Sequence, residues 1–147
     1  ADIRDLTVWV FKREVADQII AHATHEDWAD GLLAMFTWMR NHPEETRSVI
    51  ASLSMEDLQI FLYKQLRAVM EPIVDHYSDG LTVTADDHEF VTEHFTLSVL
   101  GHVSQWLATD MSGNPAILTN RIARVLDGQV RRSLELFASS AQAPARA

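Results

Sequence analysis

The sequence predicts an all-α protein, a six-helix bundle built around one hydrophobic core. Apolar residues recur three and four positions apart along most of the chain, which is the spacing of one helix face. Hydrophobic residues make up 47% of the 147 positions, enough for a single core. Only five glycines and four prolines are present to interrupt regular structure. We therefore expect one helical domain over residues 1–139, followed by a disordered tail over 140–147 without apolar periodicity.

The six helices are delimited by capping residues and by helix-breaking sequences. The expected ranges are 3–21, 27–40, 43–53, 54–77, 86–110 and 115–137. Ser54 begins a capping box for the fourth helix, and Asp86 or Asp87 is expected to cap the fifth. Asn114 is the expected N-cap of the last helix, with Pro115 at its first position. The spacing of apolar residues after Ser54 makes the fourth helix the clearest of the six.

Charge and cysteine content narrow the classes of function. The formal net charge is −9, which repels a polyanion, so this chain is not expected to read DNA by itself. No cysteine is present, which excludes disulfides and thiolate metal sites and fits a reducing compartment. The sequence has neither an apolar run of membrane-spanning length nor a signal-peptide pattern. We expect a cytoplasmic protein without membrane contact.

Motifs for catalysis or metal binding are weak. The sequence lacks a glycine-rich phosphate loop, a Gly-x-Ser-x-Gly elbow and a thiol nucleophile. His22 and His25 have a spacing of three near Glu26 and Asp27, which raises a metal site as one interpretation. The favoured alternative is that these imidazoles interact with the last carbonyls of the first helix. No catalytic residue, metal or cofactor is predicted.

The fifth helix carries a polar face without charge. At 100° per residue, five side chains fall within an arc of about 100°. They are His94, Ser98, Gly101, His102 and Gln105. A solvent-facing arc of so acidic a protein would be expected to collect carboxylates or lysines. This arc is therefore interpreted as a pocket wall or a subunit contact, with an ordinary half-buried face as the alternative.

Two segments resemble the C-terminal domain of TetR-family transcription regulators, and more closely the branch that contains the dihydroxyacetone-kinase activator. The first is Gly101-His-Val-Ser-Gln-Trp-Leu-Ala-Thr-Asp-Met-Ser-Gly-Asn-Pro115. In that branch a glycine, a tryptophan five positions later and a proline-started final helix recur in this order. The second is Asp2-Ile-Arg-Asp-Leu-Thr-Val-Trp9, which resembles the exit from the DNA-binding domain. Family members usually have lysine where Ile3 stands.

This resemblance implies a bacterial, homodimeric regulator that binds a small-molecule effector. DNA would be contacted only through a helix-turn-helix domain that precedes this chain. The expected effector pocket is apolar, with two imidazoles as orienting groups, and most of its side chains could equally be ordinary core. Its predicted border consists of Phe36, Met39, Phe61, Leu66, His94 and His102.

The resemblance also implies that the last two helices pair across a two-fold axis as a four-helix bundle. The final helix has more apolar residues than one stripe needs, in agreement with this expectation. The predicted interface residues are Trp106, Ile122, Val125, Leu126, Val130 and Leu134. The alternative function is a helical adaptor that binds a partner protein through exposed apolar faces and has no small-molecule pocket.

Overall fold

The computed structural model describes residues 2–142, with side chains described as far as Ala138, and these residues form seven helices. The helices are α1 (Ile3–Ile20), α2 (Trp28–Asn41), α3 (Pro43–Ser52), α4 (Met55–Tyr77), α5 (Ala85–Ala108), α6 (Pro115–Leu126) and α7 (Gln129–Gln142). Between residues 2 and 142 no helix has both the length and the apolar character needed to cross a membrane. The predicted all-α bundle is confirmed.

The last predicted helix is divided into α6 and α7. Gly128, between them, has a φ of 81°, a left-handed conformation that ends a helix and that glycine adopts without steric cost. The second segment, α7, continues to Gln142, past the predicted domain boundary at 139. Residues 143–147 of the predicted disordered tail lie outside the described part of the chain.

Two of the three expected N-caps are confirmed, and one is wrong. The Ser54 hydroxyl accepts a hydrogen bond from the Asp57 backbone N–H at 3.0 Å, and the Asn114 side chain accepts two from the start of α6. The cap of α5 is Thr84, whose hydroxyl accepts from the Asp87 N–H at 3.1 Å, and not Asp86 or Asp87. The extended backbone of Thr84 places its hydroxyl over the first turn, so the two aspartates fall inside the helix.

The long helices α4 and α5 form the centre of the bundle. They run antiparallel, because Leu58 lies near Leu107 at one end and Asp75 pairs with His88 at the other. The first helix packs against α2, α3 and α4, while α6 packs on α2, and α7 packs on α4 and α5. The core lies between these layers and includes fully buried residues such as Phe36 of α2.

Two arginines connect the helices from the outside of the core. Arg67 of α4 donates hydrogen bonds to Glu89 of α5 at 2.6 Å and to the Tyr63 hydroxyl at 3.1 Å. These bonds, that to Glu89 first, raise the pKa of Arg67 above its usual value. Arg131 of α7 donates to the backbone carbonyls of Tyr77 and Asp79, each at 2.7 Å. The Arg131 guanidinium thus supplies hydrogen-bond donors to backbone carbonyls at the carboxyl end of α4.

Candidate functional site

The bundle contains small apolar gaps between its helices, each too small for an effector. One of about 30 Å³ lies between α3, α4 and α5. We call a second one the interior gap. Its volume is about 20 Å³, which is room for about one water molecule. It lies among α1, α2, α4 and α5 and is lined by Ile19, Trp28, Leu32, Leu66, Val69, Met70 and Val99. The structure is therefore that of a closed bundle.

A much larger cleft opens on the surface above this gap. We call it the Trp28 cleft; its volume is about 310 Å³. It lies between the start of α2, the end of α4 and the end of α6. Its lining residues are His25, Glu26, Trp28, Ala29, Ile73, Tyr77, Ala123, Arg124, Leu126 and Asp127. Its lining combines apolar side chains such as Trp28 and Ile73 with charged ones such as Glu26, Arg124 and Asp127.

Aromatic stacking and a glycine fix the loop that borders the Trp28 cleft. The rings of His25 and His76 stack with their centroids 3.6 Å apart and their planes 10° apart, which joins the α1–α2 loop to α4. At Gly31, a Cβ atom would lie 2.9 Å from the Cβ of His22, closer than real contacts allow. The absence of a side chain at Gly31 thus permits α2 to approach the end of α1. Across the described residues, no group of three candidate metal ligands is found.

The opposite end of α2 is closed by hydrogen bonds. The Trp106 indole N–H donates to the Gly113 carbonyl at 2.8 Å, and Arg40 donates to the same oxygen at 3.2 Å. Arg47 donates to both carboxylate oxygens of Asp110, at 2.9 and 3.1 Å. This bidentate hydrogen bond lowers the pKa of Asp110 and raises that of Arg47. A cleft of about 230 Å³ lies beside this end and is bordered by His102.

The predicted uncharged arc of α5 is exposed. His94, Ser98, Gly101, His102 and Gln105 all face outward. Large apolar side chains flank the arc, because Phe90 is 57% exposed and Leu97 is 49% exposed. A Cβ added at Gly101 would have no neighbour within 4 Å, so nothing inside the subunit requires glycine there. We call these seven residues the α5 face.

The six predicted pocket residues do not surround one cavity in this structure. Phe36 and Met39 are fully buried in the core, and Leu66 lines the interior gap. The side chain of Phe61 is half-buried, with the Lys12 ammonium 5.5 Å from its ring centroid. The remaining two, His94 and His102, lie on the α5 face. A pocket bordered by all six stays a prediction.

The six predicted interface residues lie mostly beneath the surface. Five of them are at most 6% exposed within their own subunit: Trp106, Ile122, Leu126, Val130 and Leu134. Val125 is 67% exposed. An interface formed by these six residues stays a prediction.

Sequence reasoning named three residues of the Trp28 cleft, His25, Glu26 and Leu126, but did not bring them together in one site. Trp28, Tyr77 and Arg124 belong to three helices that are far apart in the chain, and periodicity within one helix does not reveal their meeting. The available signal was local: Trp28 follows a short polar turn, where an aromatic residue at a helix start often packs across the loop. That signal does not identify the helix on the other side.

The chain is a helical bundle with a surface cleft and with one exposed helix face that lacks charge. The chain belongs to the TetR family of transcription regulators, because the family model described as "Transcriptional regulator C-terminal region" matches residues 26–128, more than half of the chain. The match spans α2 to α6 and includes nearly all of the Trp28 cleft. Comparison with curated proteins and with solved structures found no match.

Proposed function

We propose that this chain is the effector-sensing and dimerisation domain of a TetR-type regulator. The observation that carries the proposal is the α5 face, an exposed strip without charge on a protein whose net charge is −9. An isologous interface brings a surface against its own copy, so any charge on the axis would meet itself. An uncharged strip is the kind of surface that tolerates such a contact.

Gly101 supports the same proposal. A glycine inside a helix costs roughly 1 kcal/mol relative to alanine, and nothing within the subunit accounts for it. Close approach of a second helix would account for it. Apolar side chains from the last two helices, the half-buried Phe137 and the exposed Ile117, border the face at its two ends. Phe137 of α7 lies against Phe90, with their ring centroids 6.3 Å apart, and Ile117 of α6 lines the cleft next to His102.

Sedimentation of matched charge variants tests the dimer. Ser98→Glu introduces a carboxylate into the α5 face, and Thr37→Glu introduces one at an exposed position of α2, away from the face. We expect the wild type and Thr37→Glu to be dimers, and Ser98→Glu to be a monomer with unchanged helical circular dichroism. A wild type that is monomeric at tens of micromolar, or a Ser98→Glu variant that stays dimeric, would contradict the proposal.

In this proposal the effector acts through a shift in population between two arrangements of the dimer. The DNA-binding module would lie upstream in the regulator, and the effector would favour one spacing of the two modules. A differential affinity of about 1–3 kcal/mol is typical of such coupling. Such a regulator would act in the cytoplasm.

DNA binding by this domain alone is not expected, because of its acidic charge. A fluorescence polarisation titration with duplex DNA at low salt checks this expectation. Saturable, salt-sensitive binding at micromolar concentration would mean that the domain reads nucleic acid itself. No binding would agree with a separate DNA-binding module.

A second candidate function is that of an adaptor, and the start of α1 favours it. Ile3, Leu6 and Trp9 are 83%, 58% and 57% exposed, which leaves an apolar strip at the beginning of the first helix. In a regulator, this strip would contact the upstream module. An adaptor would need neither the dimer nor an effector, so a monomeric wild type without ligand-induced stabilisation would favour this second candidate.

A further inference from the structure

We propose that Trp28 is the gate of the effector pocket, and that the effector is an aromatic cation which displaces the Trp28 indole. This inference rests on the proposed function, because it assigns an entry route and a ligand class to the sensing domain. The interior gap and the Trp28 cleft would become one continuous site when the indole moves outward.

The first argument is position. Trp28 lines both the interior gap and the surface cleft, so its indole stands between the two spaces. The gap of about 20 Å³ is too small for any effector, whereas the cleft of about 310 Å³ already lies within the usual size range of ligand sites. Removal of an indole from the boundary would extend the cleft inward to Leu66 and Val99.

The second argument is freedom to move. The indole of Trp106 is held by a hydrogen bond to the Gly113 carbonyl at 2.8 Å. Among the described residues, the Trp28 indole has no such bond, and the backbone N–H of Trp28 is bonded to the Thr24 carbonyl at 3.0 Å. The Trp28 side chain is also half-buried, so part of its path to solvent is already open. Rotation of this side chain breaks no hydrogen bond within the described part of the chain.

The third argument concerns the chemistry of the ligand. The side chains behind Trp28 are all aliphatic or thioether groups, which accept an apolar ring of about the size of the indole that leaves. At the mouth, Glu26 and Asp127 provide two carboxylates against the single guanidinium of Arg124, and the His25 imidazole lies 3.6 Å from the Glu26 carboxylate. Tyr77 adds an aromatic ring, which attracts a cation to its face. The balance of charge and the aromatic rim both favour a cation over an anion.

Three naphthalene probes of equal ring size test the proposal: 1-naphthylmethylammonium, 1-naphthylmethanol and 1-naphthylacetate. Binding is followed by fluorine NMR of protein labelled with 5-fluorotryptophan, in which Trp28→Phe assigns the Trp28 resonance. We expect the cation to bind most tightly and the anion most weakly. The Trp28 resonance should shift on binding, while that of Trp106 should stay in place.

Matched variants test the role of Trp28 and the class of ligand independently of each other. Trp28→Ala removes the gate and should tighten binding of the cation by about tenfold or more, because no closed state has to be opened. Trp38→Ala alters another half-buried tryptophan, outside the cleft, and should leave the affinity unchanged. The double variant Glu26→Gln, Asp127→Asn should reduce the preference for the cation over the anion.

Each outcome decides one part of the proposal. Tighter binding of the anion would overturn the ligand class, and binding without a shift of the Trp28 resonance would overturn the gate. No binding of any probe to wild type or to Trp28→Phe would overturn both. Sedimentation of the same samples tests the oligomeric state independently of probe binding. A dimer that binds no probe refutes this inference alone, whereas a monomer refutes the proposed function.

Discussion

The two ends of α2 show how one residue type serves two different purposes. At its carboxyl end, Trp106 of α5 is 4% exposed and is fixed to the Gly113 carbonyl, with Arg40 bonded to the same oxygen. At its amino end, Trp28 is half-buried beside an open cleft. The two tryptophans differ in their burial and in the hydrogen bonding of the indole N–H. Trp106 is nearly fully buried and its indole N–H is hydrogen-bonded, as expected of a structural residue, whereas Trp28 is half-buried and its indole N–H has no hydrogen bond within the described residues.

The largest effect is expected at the closed end. Trp106→Ala should lower the free energy of unfolding by about 3–5 kcal/mol, because it removes a buried indole that packs edge-to-face on Phe36 with centroids 4.8 Å apart. Trp28→Ala should cost clearly less, because part of that ring is already in water. Urea unfolding of both variants measures the two losses in the free energy of unfolding. Equal losses would contradict the distinction between Trp106 and Trp28.

A smaller loss is expected for Gly31→Ala, which tests the packing that positions the open end. The new Cβ would lie 2.9 Å from that of His22, so α1 and α2 must separate, and the gain in helix propensity offsets only part of this cost. We expect a net loss of about 1–2 kcal/mol in urea unfolding. Gly101→Ala in the Ser98→Glu variant places the new Cβ in open space. This substitution should instead raise the free energy of unfolding by about 0.5–1 kcal/mol.

Removal of the cation at the end of α4 should have a more modest effect. Arg131→Met keeps the aliphatic stem but loses the two 2.7 Å hydrogen bonds to the Tyr77 and Asp79 carbonyls and the 3.1 Å ion pair with Glu135. Because the Arg131 side chain is 37% exposed, we expect a loss of about 0.5–1 kcal/mol. Arg132→Met is the matched control on the same helix and should change little. Equal losses of thermal stability in Arg131→Met and Arg132→Met would contradict a stabilising role of the Arg131 hydrogen bonds.

The smallest effect is expected for the exposed ion pair at the closed end. Arg47 lowers the pKa of Asp110, so the pair stabilises the folded state above the usual carboxyl pKa of about 3.9. This contribution is lost as the pH falls through the lowered pKa of the folded state. Asp110→Asn keeps a residue that tolerates the left-handed backbone there, with a φ of 56°.

Melting temperatures of wild type and Asp110→Asn, measured from pH 7 down to pH 2, check the sign. The small advantage of the wild type should be constant near neutral pH and should shrink in acid. High salt should reduce it as well, because both side chains are more than half exposed. An advantage that grows in acid would contradict the assigned pairing.

The sequence predicted the helices well because their signals are local. The spacing in α4 and the hydroxyl of Ser54 lie within a few residues of the structure they specify. The cap of α5 was missed by two residues, because Thr84 and the aspartates that follow are all good capping residues. The break at Gly128 was missed because the apolar spacing of the two flanking helices continues across it.

The candidate site was predicted only where it lies on one helix. The α5 face was found because its members share a single helical arc. The Trp28 cleft depends on contacts between residue 28, residue 77 and residue 124, and no periodicity encodes them. For the same reason, apolar residues such as Leu134 could not be assigned to the core or to a subunit contact, since both environments select the same side chains.

The hydrogen bond between Arg131 and the Tyr77 carbonyl connects the wall of the Trp28 cleft to α7. Tyr77 lines the Trp28 cleft, and its carbonyl is held at 2.7 Å by a guanidinium on α7. On α7, in turn, Phe137 rests on the Phe90 ring of the α5 face. The Arg131 hydrogen bond and the contact between Phe137 and Phe90 thus connect the wall of the Trp28 cleft to the α5 face through α7.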